Sequence, residues 1–302
     1  MPHTSPESAG AGTPPESSAP SVSVVVPVYN GQKYIAETLR TILAQTAPPK
    51  EVIVIDDGST DDSAAVIRGF GDAVQLTIVK NGGAARARNT GASLATGDWI
   101  AFCDSDDLWL PTKLEKQLNL ARECPDVHCV LTDYAEITDG IVSDRSHFSY
   151  APEGFWNPEW RTNGFVIRDT ITGKLPIFQP GITSTPIVKR EFFLSSGGFD
   201  VKATHWADDT CFHFRCLSVV PFGVVPEVLM HYRRHSQSLS ADTLKQLRDT
   251  VTVWNYILDA YPAAQPHRDE LLRGIAVLRQ EIADMERYRR RQKIKKLLRL
   301  GR

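Results

Sequence analysis

The sequence lacks the features that would place it in several common classes of protein. Its five cysteines are odd in number and include no Cys-x-x-Cys pair, which argues against a disulfide scaffold and a zinc site and favours a reducing, cytoplasmic compartment. No apolar stretch reaches the roughly 18 residues that a membrane-spanning helix needs. No Gly-x-Gly-x-x-Gly follows the first predicted strand, and no P-loop motif occurs anywhere. Nicotinamide redox chemistry and P-loop phosphoryl transfer are therefore poorly supported.

An excess of basic residues is also missing from most of the chain. The net charge is −2 at pH 7, but from Arg287 to the end there are nine Lys or Arg residues and no acid. Residues 1–286 therefore carry 25 basic against 36 acidic side chains, a net charge of −11. We expect no nucleic-acid binding by an acidic body of this kind. With 302 residues and 42% hydrophobic content, the chain can still bury a sizeable core.

The ordered part of the chain opens with an alternation of short apolar runs and helical periods. Residues 1–20 are rich in Pro, Ser, Gly and Ala and have no apolar core of signal-peptide length, so we expect a disordered leader. The β-branched run 22–28 predicts a buried strand, and helical spacing follows it. The pattern repeats with strands predicted at 52–55, 74–79 and 99–103. This alternation predicts an open, mostly parallel α/β sheet flanked by helices.

In such a sheet, ligands bind outside the carboxyl ends of the parallel strands. This rule places the following residues along one edge: Pro27, Tyr29, Asp56, Asp57, Asn81, Arg88 and the tetrad Asp104-Ser105-Asp106-Asp107. Crowded carboxylates repel one another and lose hydration unless a cation neutralises them. Oxygen ligands at this spacing suit Mg²⁺ or Mn²⁺, which would hold a substrate phosphate. An acidic turn that caps the next helix is the simpler alternative.

Four blocks of sequence, in this order, resemble family 2 glycosyltransferases. They are Val22-Ser-Val-Val-Val-Pro-Val-Tyr-Asn30, Val54-Ile-Asp-Asp-Gly-Ser-Thr-Asp61, Asn81-Gly-Gly with Ala87-Arg-Asn-Thr-Gly91, and Gly97-Asp-Trp-Ile-Ala-Phe-Cys-Asp-Ser-Asp-Asp-Leu-Trp109. Members of this family are inverting enzymes that use nucleotide-sugar donors and have the GT-A fold. The resemblance implies a transferase that moves a sugar from a nucleoside diphosphate sugar to a hydroxyl of a glycan or lipid-linked acceptor. Cell-surface polysaccharide or glycolipid synthesis would be its setting.

The resemblance also implies a division of the chain. Residues 21–240 would form the GT-A catalytic domain, in which 21–110 bind the nucleotide and 111–240 the acceptor. Residues 241–302 would form a helical C-terminal segment. Residues 140–176 follow no readable period and are the expected acceptor-specificity insertion.

On the donor side, the resemblance assigns a role to each block. Pro27 and Tyr29 would border the nucleotide base. Asp57 would accept hydrogen bonds from the base or ribose, although its acidic loop also fits a turn that caps a helix. Asn81 would lie on the same edge, and Arg88 would pair with the sugar nucleotide or with the acidic cluster.

The resemblance assigns the binding of the metal and the diphosphate to the tetrad and to a later motif. Asp106 and Asp107 match the positions that hold the metal and the ribose or diphosphate, with Asp104 as the outer partner. Tyr232-Arg-Arg-His235 resembles a motif that closes over the diphosphate, so Arg233 and His235 would contact the diphosphate or the metal. A purely structural His235 is the alternative. Mn²⁺ or Mg²⁺ would stabilise charge on the leaving nucleotide.

An inverting transfer needs a general base on the face of the sugar opposite the leaving phosphate. The resemblance places it at Asp209, with Asp208 orienting it or contacting the donor sugar. Asp208 stands where the family usually has Glu, and both carboxylates could instead cap a helix at its positive end. His205 and Trp206 would lie near the acceptor, although Trp206 also fits a buried core.

Three further expectations concern local structure and the tail. Ser59 and Asp62 match a capping box, which predicts a helix that follows Ser59. Residues 181–186, which are small or hydroxylated, predict a strand beside the site. The basic end 287–300 predicts an amphipathic helix that lies on an anionic membrane, which would make the protein peripheral at the inner face of the plasma membrane. A solvated tail or a subunit contact is the alternative.

Two rival functions belong to other classes. A catalytically silent nucleotide-sugar-binding protein of the same fold would keep the donor site without turnover. A nucleotidyltransferase would share the edge of the sheet, but it would need a basic, Gly-rich loop after the first strand. Tyr29-Asn30-Gly31-Gln32 is not such a loop.

Overall fold

The computed structural model describes residues 20–169, 172–203, 207–219, 221–235 and 243–300. The strands within them are β1 (Val22–Val28), β2 (Glu51–Asp56), β3 (Gln75–Ile78), β4 (Trp99–Phe102), β5 (Leu108–Trp109), β6 (Cys129–Thr138), β7 (Ile141–Ser146), β8 (Glu159–Arg161), β9 (Gly164–Ile167), β10 (Ile187–Lys189) and β11 (Phe222–Arg234). The α-helices are α1 (Ile35–Leu43), α2 (Ser63–Arg68), α3 (Ala84–Leu94), α4 (Lys113–Glu123), α5 (Arg190–Ser195), α6 (Ala207–Ser218), α7 (Thr243–Ala260) and α8 (Arg268–Leu300).

One sheet contains all of these strands, in the order β3-β2-β1-β4-β10-β6-β11-β9-β8, with β5 and β7 paired to β11 and β6. Strands β3, β2, β1 and β4 are parallel to one another, and so are β6 and β11. Strand β10 runs antiparallel between β4 and β6 and joins the two parallel groups. The predicted α/β fold class is confirmed, with antiparallel strands added at β10 and at the β9-β8 edge.

The parallel strands form where β-branched and apolar residues are buried on both faces of the sheet, as every residue of β1 and β4 is. Helix α3 packs closely on β1, because a Cβ atom at Gly91 would lie 2.3 Å from Cγ1 of Val25. Arg88 precedes Gly91 by about one turn of α3. The close approach at Gly91 therefore holds Arg88 at the carboxyl ends of the strands.

Helices α7 and α8 pack on the same core as the sheet. The ring of Trp254 on α7 lies 6.1 Å from that of Phe214 on α6, and Leu271 on α8 is fully buried. Past Leu278, the side chains of α8 are half-buried or exposed as far as residue 292. No helix in the described part of the chain is long and apolar enough to cross a membrane.

The predicted capping box at Ser59 is wrong. Helix α2 begins at Ser63 with Asp62 as its N-cap residue, and no side chain caps it. The Ser59 hydroxyl instead accepts a hydrogen bond of 2.9 Å from the N–H of Asn30. The hydroxyl therefore ties the loop after β2 to the loop after β1.

The strand predicted at residues 181–186 is also wrong. These residues form a turn in which the N–H of Thr185 donates to the carbonyl of Ile182 at 2.9 Å. Strand β10 begins only after Pro186, which has no N–H to contribute to a ladder.

Candidate active site

The loops after β1, β2 and β4 meet the end of β11 around a first cavity of about 340 Å³. Parallel strands end at one edge of a sheet, so polar side chains that follow them converge there. Seven of the predicted residues line this cavity: Pro27, Tyr29, Asp57, Arg88, Asp104, Asp106 and His235. The ring of Tyr29 is 54% exposed and therefore open to a ligand.

The carboxylate of Asp57 is bound by backbone of the same chain. Its two oxygens accept hydrogen bonds of 2.8 Å from the N–H groups of Gly82 and Gly83. The side chain of Asn81 donates to the Asp57 carbonyl at 3.0 Å. Gly83 has φ +90°, a conformation that favours glycine. Asp57 and Asn81 thus hold the loop from which α3 begins, while Asp57 also forms part of the cavity wall.

Arg88 joins two carboxylates that are distant in sequence. Its guanidinium donates to Asp104 and to Asp208, each at 2.6 Å, and the residue is only 6% exposed. Burial alone would lower the pKa of Arg88, but the two carboxylates outweigh this effect, so the pKa lies above its ordinary value. The Nε atom of Arg88 is buried and has no partner among the described residues. Arg88 therefore links the end of β4 to the start of α6 through two ion pairs.

Asp107 is fully buried and does not line the cavity. Its Oδ2 accepts a hydrogen bond of 2.6 Å from the hydroxyl of Ser184, and its Oδ1 accepts one of 3.2 Å from the N–H of Arg233. Burial, together with the nearby charges of Asp106 and Asp104, raises the pKa of Asp107 well above its usual value. Asp107 therefore anchors the tetrad to β11 and to the loop before β10.

Asp106 and His235 face the cavity as a pair, with 3.0 Å between Oδ2 and Nε2. The imidazole of His235 stacks on the ring of Tyr34 at a centroid distance of 5.0 Å. Arg233 donates from Nε to the Asp106 carbonyl at 2.9 Å and from Nη2 to Glu37 at 2.7 Å. Burial and the charge of Asp104 raise the pKa of Asp106, against the opposing effect of the His235 bond.

The predicted metal ligands are only partly brought together. Among the described residues, no group of three or more His, Cys, Asp or Glu side chains has an arrangement that could hold a metal ion. Asp107 is engaged by Ser184, and Asp104 is engaged by Arg88. Asp106 and His235, which are hydrogen-bonded to each other, present one carboxylate and one imidazole at the cavity wall. Mg²⁺ in phosphate sites is often held by one or two carboxylates plus substrate phosphates, and Asp106 supplies one such carboxylate. The imidazole of His235 is a ligand type that transition metals accept.

A second cavity of about 410 Å³ adjoins the first and shares Ala84, Arg88, Asp104 and Tyr232 with it. Asp208 and Asp209, in the first turn of α6, form part of its wall. Burial raises the pKa of Asp209 to about 7, with the adjacent Asp208 adding to the rise. Burial also raises the pKa of Asp208, against the opposing charge of Arg88. A carboxylate with a pKa near neutrality is suited to proton transfer.

Several residues of the site carry no sequence signal of their own. Tyr34 and Glu37 surround Arg233, Ser184 holds Asp107, and Tyr134 and His147 line the second cavity. A hydroxyl-rich run around Ser184 was the one available hint. Both predicted acceptor residues, His205 and Trp206, lie outside the described residues.

The family model described as glycosyl transferase family 2 matches residues 23–185, more than half of the chain. The chain belongs to glycosyl transferase family 2. The resemblance seen in its four sequence blocks is therefore confirmed, as is its nature as a glycosyltransferase. The matched residues contain the part of the first cavity wall from Pro27 to Asp106, but not Tyr232 and His235 of the same wall and not Asp209.

Relatives and solved structures agree with this family. The putative teichuronic acid biosynthesis glycosyltransferase TuaG of Bacillus subtilis is 35% identical over 165 residues, which cover 52% of this chain and 61% of TuaG. TarS 1–349 of S. aureus, solved with UDP-GlcNAc, is 19% identical with a TM-score of 0.58 over 83% of this chain and 70% of that one. The longer TarS chain is covered to 42%.

A second solved structure has the same fold. The mannosyltransferase PcManGT from Pyrobaculum calidifontis, in complex with GDP-Man and Mn²⁺, is 23% identical with a TM-score of 0.54. The match covers 88% of this chain and 75% of PcManGT. At these identities the likeness supports the fold of this chain.

Proposed function

We propose that the protein transfers one sugar from a nucleoside diphosphate sugar to a hydroxyl group of a glycan or lipid-linked acceptor, with inversion at the anomeric carbon. The observation that carries this proposal is the pair of adjoining cavities separated by Arg88 and Asp104. The first has the exposed ring of Tyr29 for a base and the pair Asp106 and His235 for a divalent ion with a diphosphate, and the second contains Asp209, whose pKa is raised to about 7.

In this proposal, the nucleotide lies between Pro27, Tyr29 and Asp57, and its diphosphate points toward Asp106 and His235. The acceptor hydroxyl enters the second cavity and its oxygen attacks the anomeric carbon. Asp209 takes the hydroxyl proton, and the bond from that carbon to the diphosphate oxygen breaks with its electron pair. The products are the new glycoside and the nucleoside diphosphate. General-base assistance of this kind contributes roughly 10²- to 10⁴-fold.

Asp106 and His235 would hold Mn²⁺ or Mg²⁺ together with the diphosphate. The bound ion would supply Lewis-acid stabilisation of negative charge on the departing nucleotide. Support comes from the chemistry of the two side chains and from PcManGT, which was solved with GDP-Man and Mn²⁺. Arg233 orients this pair through its bond to the Asp106 carbonyl and its position 4.8 Å over the Tyr34 ring.

The donor site is tested by thermal shift with UDP, GDP and dTDP, with and without Mn²⁺. We expect one nucleotide to raise the melting temperature more strongly when Mn²⁺ is present. His235→Ala should abolish the Mn²⁺-dependent part, whereas His128→Ala, which lies outside both cavities, should keep it. A nucleotide shift with the same Mn²⁺ dependence in His235→Ala would contradict the metal assignment.

Catalysis separates the proposal from a silent nucleotide-sugar-binding protein. We expect the protein to hydrolyse its donor sugar slowly without an acceptor and to transfer it when an acceptor is present. A donor that binds but is never consumed, with any acceptor glycan tested, would favour the silent protein.

For the cellular setting, we propose attachment to the inner face of the plasma membrane through the basic end of α8. The helix continues to Leu300, its side chains at residues 287–292 are exposed, and nine Lys or Arg residues follow position 286. Basic helices bind anionic lipid surfaces. Flotation with phosphatidylglycerol vesicles should recover the full chain but not a chain that ends at Glu286. Equal recovery of both would exclude the tail as the anchor.

A further inference from the structure

The second cavity has a wall formed by one face of two neighbouring strands. Tyr134 and Glu136 are two residues apart on β6, and Tyr232 and Arg234 are two residues apart on β11. The strands are parallel, with Tyr232 opposite Glu136. Because alternate residues of a strand point to the same side, these four side chains share one face, and all of them line the cavity. The wall therefore presents two phenol rings beside two charged groups.

Aromatic stacking holds this wall in place. The His147 ring lies between those of Tyr134 and Phe178, at centroid distances of 4.5 and 4.7 Å and interplanar angles of 14° and 15°. Its Nε2 lies 2.7 Å from the carbonyl oxygen of Gln179. Tyr232 meets Tyr134 edge to face at 6.1 Å. Stacked rings of this kind form a preorganised surface, which lowers the cost of ordering a ligand.

The charges that line the cavity disfavour an anionic ligand. Four carboxylates line it, against two guanidinium groups and no lysine. Both guanidinium groups are ion-paired, Arg88 with Asp104 and Asp208 and Arg234 with Glu136 at 3.5 Å. Burial lowers the pKa of His147, so its imidazole is neutral at physiological pH. A phosphate or carboxylate in this space would meet an excess of negative charge.

A neutral ligand rich in hydroxyl groups matches the same wall. The volume of about 410 Å³ lies in the range of small-ligand clefts, roughly 300–1,000 Å³. The Glu136 carboxylate accepts hydrogen bonds, the Arg234 guanidinium donates them, and Gln246 of α7 can do both. The half-buried ring of Tyr232 offers an apolar surface to the less polar side of a sugar ring. Asp209 stands at the same cavity, where it can take the proton of a hydroxyl group.

We propose that the second cavity binds one neutral sugar ring of the acceptor, and that Glu136 and Arg234 select it over uronic acids and phosphorylated sugars. This inference rests on the proposed function, because it names the acceptor class of the same reaction. The specificity residues come from β6, which lies within the matched family region, and from β11, which lies outside it.

The test is saturation-transfer NMR on the full-length protein with pairs of methyl glycosides that share a ring. One pair is the methyl glycosides of glucose and glucuronic acid, and the other is those of galactose and galacturonic acid. We expect at least one neutral glycoside to bind more tightly than its uronic acid counterpart. Tighter binding of the uronic acid in both pairs would overturn the proposal. So would the absence of binding by either neutral glycoside while a nucleoside diphosphate still raises the melting temperature.

Substitution of the acidic specificity residue should change the two affinities in opposite directions. Glu136→Gln should weaken binding of the neutral glycoside about tenfold, because a charged hydrogen-bond acceptor is lost. The same substitution should strengthen binding of the uronic acid, because a carboxylate that repels its anion is removed. An unchanged ratio of the two affinities would show that Glu136 does not select between them. Glu153→Gln, at an exposed residue that lines neither cavity, is the matched control and should leave both affinities unchanged.

The outcomes also separate this inference from the proposed function. A protein that binds neutral glycosides but no nucleoside diphosphate would refute the transferase proposal and leave the cavity assignment in place. A protein that binds and hydrolyses a donor sugar but prefers uronic acids would do the reverse.

Discussion

The two cavities lie side by side but are built in different ways. The first is lined by short motifs that each follow a parallel strand, such as Asp57 after β2 and Asp104 after β4. The second draws on β6, β11, α6 and α7, which place Tyr134, Asp209 and Gln246 around one space. A site at the ends of parallel strands can be encoded in consecutive residues, whereas a site between elements distant in sequence cannot.

Arg88 and Asp104 belong to both cavities, so the two sites are not independent. The ion pairs of Arg88 hold the start of α6, and with it the proposed base, against the loop that follows β4. The difference between the regions can therefore be tested by changes confined to one cavity and by changes to the wall that they share.

The largest effect should come from Asp209→Asn, which alters the second cavity alone. We expect kcat to fall roughly 10²- to 10⁴-fold because the general base is lost. Nucleotide binding in the first cavity should stay within error of the unchanged protein, as measured by thermal shift. Asp144→Asn, at an exposed residue of β7, is the matched control and should keep full activity. Full transfer by Asp209→Asn would show that the base lies elsewhere.

Arg88→Leu should break both cavities at once. Removal of one partner from a buried ion pair leaves uncompensated charges on Asp104 and Asp208 and costs about 3–5 kcal/mol. Chemical denaturation should report this loss of stability, and nucleotide binding and transfer should fall together. Arg86→Leu, two residues earlier on α3 and exposed, should change none of the three. If Arg88→Leu lost transfer but kept its stability and nucleotide affinity, the ion pairs of Arg88 would be needed for the second cavity alone.

The pH dependence of transfer should follow the protonation of Asp209 in the second cavity. Asp209 has a pKa of about 7, raised above its usual range, so it holds its proton below that pH and can act as a base only above it. kcat/KM should therefore rise about tenfold per pH unit up to about pH 7 and level off above it. Nucleotide affinity, measured over the same range, should not follow this curve. A kcat/KM that stays constant between about pH 5 and 8 would contradict the assignment of Asp209 as the base.

The smallest effect on transfer should come from the core between the two regions, where Lys113 is fully buried. Its ammonium donates to Gln117 at 2.9 Å and lies 4.2 Å over the ring of Trp109, while Gln117 in turn donates to the carbonyl of Val130 on β6. Burial lowers the pKa of Lys113 to about 7. Lys113 therefore lies between β5, which follows the tetrad, and β6, which carries Tyr134.

The sign of the resulting pH effect follows from proton binding. Above about pH 7 the folded protein has released the Lys113 proton, whereas the unfolded chain keeps it up to about pH 10.5. Stability should therefore rise with pH in this window, by up to about 1.4 kcal/mol per unit. Lys113→Met should be more stable than the unchanged protein at pH 7, and the advantage should shrink as the pH rises. A constant difference across pH 7 to 10 would show that Lys113 does not titrate there.

The sequence predicted the first cavity well and the second poorly. Tyr29, Asp57, Arg88 and Asp106 lie where the strand-end rule places them. Asp107 is instead buried beneath Ser184 and Arg233, because the direction of each carboxylate in the tetrad depends on side chains that come from other loops. Residues 140–176, in which no period was visible, contain β7, β8 and β9 at the edge of the sheet.

By itself, the sequence determined the family, the parallel α/β core and the edge of the sheet at which a nucleotide would bind. Local patterns of apolar and acidic residues suffice for these, since each strand and its loop are continuous in the chain. Only the tertiary structure decided that Arg88 would bridge Asp104 and Asp208, that Asp106 and His235 would face the cavity together, and which residues would line the second cavity. Arg88 and Asp208 are 120 positions apart and Asp106 and His235 are 129 apart, so the geometry of these contacts is set by packing between elements.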